Sequence, residues 1–490
     1  MNPLRKLAGQ TAIYGLSSIV GRVLSYLLVP IYTRVFVPEE YGIANELYAY
    51  ISLLLVVLTY GMETAFFRFS EMEQDKPRVY STALISLFAT SLLFIILALF
   101  VYHPLADVLR YPNNPEYVIW FALIVAMDAL TAIPFARLRA TNRPKRFAGI
   151  KLINIGINVG LNLFFIVLCP YLLREGIMTD AVNAVYDPHI GVGYIFISNL
   201  ISSAFTMLLL LPEYVRIRFR FDFFLWKRMI RYALPLLVVG MAGIVNETMD
   251  RIFLKYLLPE SIAMTALGIY GACFKISIIM TIFIQAFRFA AEPFFFAQAK
   301  EQDARKIYAD VMKYFVIICT MIFMVVMMYI DVVKYFVGDK YYDGLPVVPI
   351  LLMASMFLGI YFNLSIWYKL TGQTSYGAYI SVIGAVITVL INVFFVPVYG
   401  FMGSAWSHFI TYLVMMIISF FLGQKHFRVP YKISTILGYM ALAGGLFFLS
   451  EWTRPEALTP RLLLNTLYFL VFAGTIAWFE RRLLKRILTK

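Results

Sequence analysis

The stretch Arg231–Lys255 combines an apolar middle with ionisable side chains that could bind a ligand inside a membrane. It is about as long as a tilted membrane-spanning helix. Its polar residues are Asn246, Glu247, Asp250 and Arg251. Ionisable groups at such depth are costly, so they usually face a partner or a water-filled cavity. Because Glu247 precedes Arg251 by four residues, we expect these two side chains to form an ion pair on one helix face.

Other apolar stretches also contain cations. Arg22 lies near the middle of the first stretch, where we expect it to face a wet cavity, and Lys275 lies deep in a later one. A cationic cavity with low-dielectric walls concentrates anions, and Arg binds phosphate in a bidentate manner. We therefore predict a central cationic cavity for an anionic substrate such as a diphosphate. Its candidate substrate-binding residues are Arg22, Lys275, Arg251, Arg68 and Arg288, although Arg68 and Arg288 lie near span ends, where a topological or interfacial role is the alternative.

Four acids could bind a coupling ion or form structural salt bridges, and the sequence leaves both roles open. They are Glu63, Asp128, Glu247 and Asp250. Glu63 could also pair with Arg22, and Asp128 lies beneath the basic cluster that begins at Arg137.

Three further patterns favour structural roles. Asn154, Asn158 and Asn162 repeat every four residues, which predicts hydrogen bonds between helices. We expect Lys313 to extend its ammonium group to the membrane surface. The three cysteines and four histidines are scattered without metal-ligand spacing, so we expect no metal site and no cofactor.

Composition excludes an ordinary soluble domain. The chain of 490 residues is 61% hydrophobic and 14% charged, and its mean hydropathy is +0.78. The net charge of +14 comes from loops on alternate sides of the spans, about 30 cations against about 8. This distribution is explained by the membrane topology, with both termini in the cytoplasm, and does not require nucleic-acid binding.

Apolar stretches of about 20 residues predict fourteen transmembrane helices in an all-α integral membrane protein. The predicted spans are 8–35, 42–67, 80–102, 116–138, 148–172, 189–212, 230–257, 263–290, 307–336, 346–369, 376–397, 401–423, 433–451 and 461–480.

An internal repeat organises these spans. The sequence at 161–166 resembles that at 391–396, an offset of 391 − 161 = 230, and Pro38-Glu39 recurs as Pro259-Glu260. Spans one to six therefore repeat as seven to twelve, in the parallel manner of a pseudo-two-fold axis along the membrane normal. We predict a six-helix lobe at 1–213, a second at 214–424 and two additional helices at 425–490. Rocking of the lobes around a central cleft would give alternating access.

The opening GLSSIVGRVLSYLLVPIYTRVFVPEEYG and the later KYLLPE resemble polysaccharide-exporter and O-antigen flippases of the multidrug/oligosaccharidyl-lipid/polysaccharide exporter superfamily. The resemblance implies a transporter, not an enzyme, in the bacterial cytoplasmic (inner) membrane. It implies that a polyprenyl-diphosphate-linked oligosaccharide crosses from the inner to the outer leaflet by alternating access. It also assigns the head group to Arg22 and Lys275 first, and then to Arg251. The two additional helices would accommodate the lipid tail, and the expected partners are membrane lipids and glycan polymerase machinery.

Two rival functions remain at this point. An ion-coupled multidrug extruder of the same superfamily usually has twelve spans and an acidic cation site, and the four acids keep this alternative open. A membrane-embedded saccharide polymerase or ligase generally needs a large outer loop with catalytic side chains, and none is predicted here. We expect a monomer, because two lobes already supply the cleft.

Overall fold

The structure is a computed structural model that describes residues 19–21, 23–215, 220–298 and 303–481. Every regular element within these residues is helical. In this part of the chain, thirteen helices are long and apolar enough to cross a membrane. The side chains of Phe100, Phe224 and Trp452 are 80% exposed or more, as lipid-facing side chains are. The predicted all-α multispanning class is confirmed.

The thirteen helices correspond in order to the second to fourteenth predicted spans. Of the predicted first span, 8–35, residues 8–18 and Arg22 lie outside the described residues. Its described end contains helix α1, Val29–Val35.

The described chain forms two compact units, which differ from the predicted lobes in their limits. Unit 1 comprises residues 1–271 and 388–400, and unit 2 comprises 272–387 and 401–490. The lobe boundaries at 213 and 424 stay a prediction. Beyond α1, the helices of unit 1 are α2 (Pro38–Thr59), α3 (Met62–Met72), α4 (Lys76–Val108), α5 (Glu116–Ala140), α6 (Pro144–Leu163), α7 (Cys169–Arg174), α8 (Thr179–Asn183), α9 (Gly193–Val215) and α10 (Phe223–Leu257).

Two helices contribute residues to both units, namely α11 (Glu260–Gln298) and α16 (Ser375–Tyr399). The other helices of unit 2 are α12 (Ala304–Met328), α13 (Ile330–Val333), α14 (Val347–Leu364), α15 (Ile366–Leu370), α17 (Phe401–His426), α18 (Ile433–Trp452) and α19 (Leu458–Phe479).

The second predicted span is broken between α2 and α3. Tyr60 and Gly61 both adopt the left-handed conformation, with φ of 34° and 71°. A Cβ atom at Gly61 would lie 2.9 Å from the main-chain oxygen of Ala233, so glycine also permits close packing there. The break directs α3 against α4 and α10, where Met62, Ala65 and Met229 are fully buried. Glu63 is thereby placed on a separate short helix.

Small residues bring α2 close to the beginning of α11. A Cβ atom at Gly268 would clash with the main chain of Pro38, and one at Gly271 would lie 2.5 Å from the side chain of Asn45. The lack of side chains at these positions therefore permits close backbone contact, as in other membrane helix pairs.

The predicted asparagine contacts are present in unit 1. Asn154 donates from Nδ2 to the carbonyl of Ser202 at 3.0 Å and to the hydroxyl of Thr206 at 2.8 Å, which joins α6 to α9. Asn162 accepts a hydrogen bond of 2.8 Å from the hydroxyl of Tyr32 on α1. The structural interpretation of this asparagine series is confirmed for these two residues.

The last helices of unit 2 are joined to α12 by polar contacts at one end. Glu480 accepts hydrogen bonds from Lys313 Nζ at 2.6 Å, Tyr314 at 2.8 Å and Tyr439 at 3.1 Å. The prediction that Lys313 extends to the membrane surface is wrong, because its side chain is 6% exposed and pairs with a carboxylate 167 residues away in sequence. Burial disfavours the charge of Glu480, but Lys313 and Tyr314 outweigh it and hold its pKa below the ordinary value.

Candidate functional site

Two ionisable residues of α10, Asp250 and Arg251, are buried within unit 1. Asp250 is 1% exposed and Arg251 is 8% exposed. Arg251 Nη1 lies 3.6 Å from Asp250 Oδ1 and donates to the main-chain carbonyl of Glu247 at 3.1 Å. The predicted pair therefore has a different anion, because Asp250 supplies the carboxylate while Glu247 supplies its carbonyl and remains exposed. This arrangement leaves a buried cation whose charge is largely balanced nearby.

One turn earlier, Asn246 connects α10 to α16. Its Oδ1 accepts a hydrogen bond of 3.1 Å from Thr388, and Asn392 on the following turn of α16 is fully buried. On α10, Asn246 lies one turn before the Asp250–Arg251 pair. Unit 1 thus contains a buried polar region that combines an acid, a cation, amides and a hydroxyl.

A second buried ion pair lies at the far end of α10. Lys255 Nζ donates to Glu46 Oε2 at 2.8 Å and to the carbonyl of Leu109 at 2.5 Å, while Tyr111 donates to the same carboxylate. The Lys255 and Glu46 side chains are 2% and 0% exposed. Lys255 Nζ also lies 3.8 Å from the centre of the Tyr111 ring. We call these three residues the sealed cluster.

Tyr111, which lies between α4 and α5, has a pKa that is shifted by this buried and charged environment. Burial and the neighbouring Glu46 charge raise the pKa of its phenol well above the ordinary value, so it stays a hydrogen-bond donor. Arg110 lies at the edge of the sealed cluster, 5.2 Å from the Tyr256 ring centre and 3.1 Å from a Glu260 oxygen. This cluster joins α2, α10 and the loop after α4.

Sequence reasoning missed the sealed cluster. The signal was present, since Glu46 follows Asn45 within an apolar span and an acid there requires a partner. Lys255 is the last residue of the Arg231–Lys255 stretch, where the sequence gives it no partner. Nothing in the local pattern connects it to an acid 209 residues away.

The predicted acids of the first lobe have protein partners. Glu63 forms an ion pair with Arg139, and Asp128 accepts a hydrogen bond of 2.8 Å from Ser203. The guanidinium of Arg68 lies 4.2 Å from the Tyr232 ring centre. These contacts favour the structural alternative for Glu63 and Asp128, while their role in ion coupling stays a hypothesis.

Three arginines at the adjoining ends of α5 and α6 share one buried acid. Glu213 is 5% exposed and lies within 3.7 Å of Arg137, Arg143 and Arg146. The Arg137 side chain also lies 4.5 Å from the Tyr80 ring centre. Some of the basic residues that indicate the membrane topology therefore also form ion pairs that stabilise the packing of α5, α6 and α9.

Lys275 and Arg288 both lie on α11 within unit 2. Lys275 is partly buried. Arg288 lies farther along the helix, 4.0 Å from Glu292 and 4.4 Å from the Phe362 ring centre. It borders an open-sided cavity together with Lys369 and Asn363. The structure therefore places Arg288 at a definite cavity, whereas the sequence left it between a substrate contact and an interfacial residue.

The described residues contain no group of three or more His, Cys, Asp or Glu side chains that could hold a metal ion. Cys169, Cys273 and Cys319 are free thiols, and all three are buried.

Comparison with known proteins gives a partial family match and several similar folds. Residues 7–141 match the protein family described as polysaccharide biosynthesis protein. Over 96% of this chain and 99% of the other, the structure is similar to an inward closed conformation of the lipid II flippase MurJ, with a TM-score of 0.71 and 13% identity. This family match covers the first part of the chain, and the likeness to MurJ at 13% identity shows a shared fold.

Multidrug transporters have a similar fold. An inward-facing MATE-family transporter of the MOP superfamily aligns with a TM-score of 0.66 and 16% identity over 85% of this chain and 95% of the other. The Vibrio cholerae MATE transporter VcmN in its bent form aligns with a TM-score of 0.56 and 12% identity over 87% and 98%. No curated protein matches the sequence. At 12–16% identity these likenesses show the fold alone.

Proposed function

We propose that the protein is a flippase that moves a polyprenyl-diphosphate-linked oligosaccharide from the cytoplasmic to the outer leaflet by alternating access. The observation that carries this proposal is the match of residues 7–141 to a polysaccharide biosynthesis family. The fold likeness to a lipid II flippase along nearly the whole chain supports it. The cargo would be a repeat unit of O-antigen, capsule or exopolysaccharide.

Cations supply the positive charge that a diphosphate requires. Arg22 and Lys275 would hold the phosphates first, and Arg251, Arg68 and Arg288 would contribute along the path. Arg251 is 8% exposed, so a phosphate that reached it would interact in a low-dielectric environment. Because Asp250 already lies 3.6 Å away, the substrate would compete with this carboxylate for the guanidinium. Such competition would let the cation release its cargo.

The proposal extends to the cellular setting. The protein would lie in the bacterial inner membrane with both termini in the cytoplasm, as the distribution of basic loops predicts. It would act as a monomer and pass its product to glycan polymerase machinery.

The first test is mass spectrometry of polyprenyl-linked glycans extracted from cells depleted of the protein. We expect one complete lipid-linked oligosaccharide to accumulate on the cytoplasmic side, where an impermeant glycan-labelling reagent does not reach it. Normal amounts of all lipid-linked glycans in depleted cells would contradict the proposal.

Lys275→Ala should abolish complementation of this defect while protein level and membrane insertion stay normal, because a phosphate ligand would lose a charged partner. Lys227→Gln is the matched control, since Lys227 is an exposed cation. Full complementation by Lys275→Ala would remove the cationic-site hypothesis and leave the flippase proposal to the glycan measurement.

A cation-coupled multidrug extruder is the second candidate. The buried carboxylate of Asp250, which is 1% exposed, favours it, since such acids commonly bind cations within membranes. Increased sensitivity of depleted cells to cationic drugs, without glycan accumulation, would support this candidate over the flippase.

A further inference from the structure

The cavity beside Arg288 is built entirely from residues of unit 2. Its polar side comprises Arg288 and Glu292 on α11, Asn363 on α14 and Lys369 on α15. The cavity is open on one side. We call it the α11–α14 cavity. The positive-inside rule places this end of the helices in the cytoplasm.

The charges of this cavity do not cancel. Lys369 Nζ lies 2.8 Å from Glu292 Oε1, and Arg288 Nε lies 4.0 Å from the other oxygen of the same carboxylate. One acid therefore serves two cations, and a net positive charge remains. The Arg288 side chain is half exposed, so donors of its guanidinium remain accessible to a ligand. An anion is the ligand that this imbalance favours.

An additional donor lines the same cavity. Asn363 is 5% exposed, and its Nδ2 has no acceptor among the described residues. A buried amide without an acceptor loses the hydrogen bonds that water would supply, which is unfavourable. A phosphate oxygen in the cavity could provide the missing acceptor.

The rest of the cavity lining is largely apolar. Ile284, Phe287 and Phe295 contribute to its lining. Arg288 lies 4.4 Å from the Phe362 ring centre, which orients the guanidinium beside an aromatic surface. A ligand that satisfies both sides has an anionic group joined directly to a hydrocarbon chain. Free inorganic phosphate would leave the apolar side without a partner.

We propose that the α11–α14 cavity binds the phosphate of an isoprenoid-linked substrate on the cytoplasmic side, before transfer. Arg288 and Lys369 contact the phosphate oxygens, Asn363 donates a further hydrogen bond, and the apolar side packs against the first isoprene units. This inference rests on the proposed function for the identity of the phosphate. An anionic phospholipid has the same chemistry, so the experiment must separate the two sources.

The test uses the full-length protein in nanodiscs of phosphatidylcholine and a photoreactive farnesyl diphosphate as the probe. After irradiation, mass spectrometry of peptides locates the crosslinks. We expect crosslinks within 284–295 and 362–369. The double variant Arg288→Gln with Lys369→Gln should reduce them about tenfold or more, since hydrogen bonds to charged groups are strong.

The variant Glu292→Gln should change the amount of crosslinking in the opposite direction. It removes the competing carboxylate, so the crosslinks should increase several-fold. Lys432→Gln is the matched control, because Lys432 is an exposed cation of unit 2 that pairs with Asp310 and does not line the cavity. If Glu292→Gln reduced crosslinking as the double variant does, these side chains would only maintain the shape of the cavity, and the proposal would be overturned.

Competition identifies the ligand. Unlabelled farnesyl diphosphate should displace the probe, and farnesol should not. Equal displacement by phosphatidylglycerol would indicate a site for bulk lipid head groups and would overturn the substrate assignment. Displacement by farnesol would overturn the role of the phosphate. If crosslinks were absent from the cavity while depleted cells still accumulated lipid-linked glycan, this site would be wrong and the flippase function would stand.

Discussion

The sealed cluster of unit 1 and the α11–α14 cavity of unit 2 contain the same kinds of side chain in opposite environments. In the sealed cluster, Lys255 and Glu46 are at most 2% exposed and balance one another, with Tyr111 completing the carboxylate contacts. In the cavity, Arg288 and Glu292 are 50% and 39% exposed, and the cations outnumber the acid. One region is neutral and closed to water, whereas the other is positive and open.

This difference separates structural charge from charge that is available to a ligand. A buried pair is costly to break, because the remaining ion stays in a low-dielectric environment without compensation. A half-exposed pair contributes little, because water replaces the lost partner. Substitutions should therefore affect mainly stability in the sealed cluster and mainly transport in the cavity.

Lys255→Met should have the largest effect on stability. It leaves the Glu46 carboxylate buried without its cation, which typically costs about 3–5 kcal/mol. We expect a marked decrease of the thermal unfolding temperature in detergent, measured by intrinsic fluorescence. The double variant Glu46→Leu with Lys255→Met should recover much of the loss, since it removes both charges. A single variant as stable as the wild type would show that water reaches the cluster.

The cluster around Asp331 is an intermediate case that sharpens the comparison. Its carboxylate accepts hydrogen bonds from Arg461 at 2.7 Å and Arg454 at 3.1 Å, and Lys334 lies 3.7 Å away. Because the carboxylate is buried but has charged donors, Asp331→Asn should cost about 1.5–3 kcal/mol. The measurement is the unfolding temperature at neutral pH.

The Asp331 cluster also predicts a pH dependence. Burial disfavours the charge, but Arg461, Arg454 and Lys334 outweigh it and hold the pKa of Asp331 below its ordinary value. A depressed pKa gives stabilisation that is present above the unfolded pKa of about 3.9 and is lost as the pH falls through the folded value. The difference between the wild type and Asp331→Asn should thus persist at pH 5 and shrink below about pH 4. A difference that stayed constant into strong acid would contradict the assignment.

Arg288→Gln should have the smallest effect on stability. Its contact with Glu292 is long and half exposed, so the loss should be at most about 1 kcal/mol. Transport should nevertheless decrease, measured as restoration of glycan export in depleted cells. A large decrease in unfolding temperature with normal export would reverse the comparison and assign Arg288 a structural role.

Individual elements show how much of the fold could be predicted from the sequence. Thirteen predicted spans were found in order, because each is recognised from its own length and apolar content. The break at Tyr60–Gly61 was not predicted, since the apolar pattern continues through it and its geometry depends on the close approach of Ala233. The asparagine contacts of α6 were predicted in kind, although the sequence did not name Ser202 or Thr206 as partners.

The sequence by itself determined the class of protein, the spans and the presence of buried charge, because the cost of polar groups in a bilayer is a property of each segment alone. Only the tertiary structure decided which charges are balanced. Lys255 meets an acid 209 residues away, Arg251 meets Asp250 rather than the carboxylate of Glu247, and Arg288 shares Glu292 with Lys369. For Lys255–Glu46 and Lys369–Glu292, compensation depends on distances of a few ångströms between helices, and no periodicity within one helix contains that information.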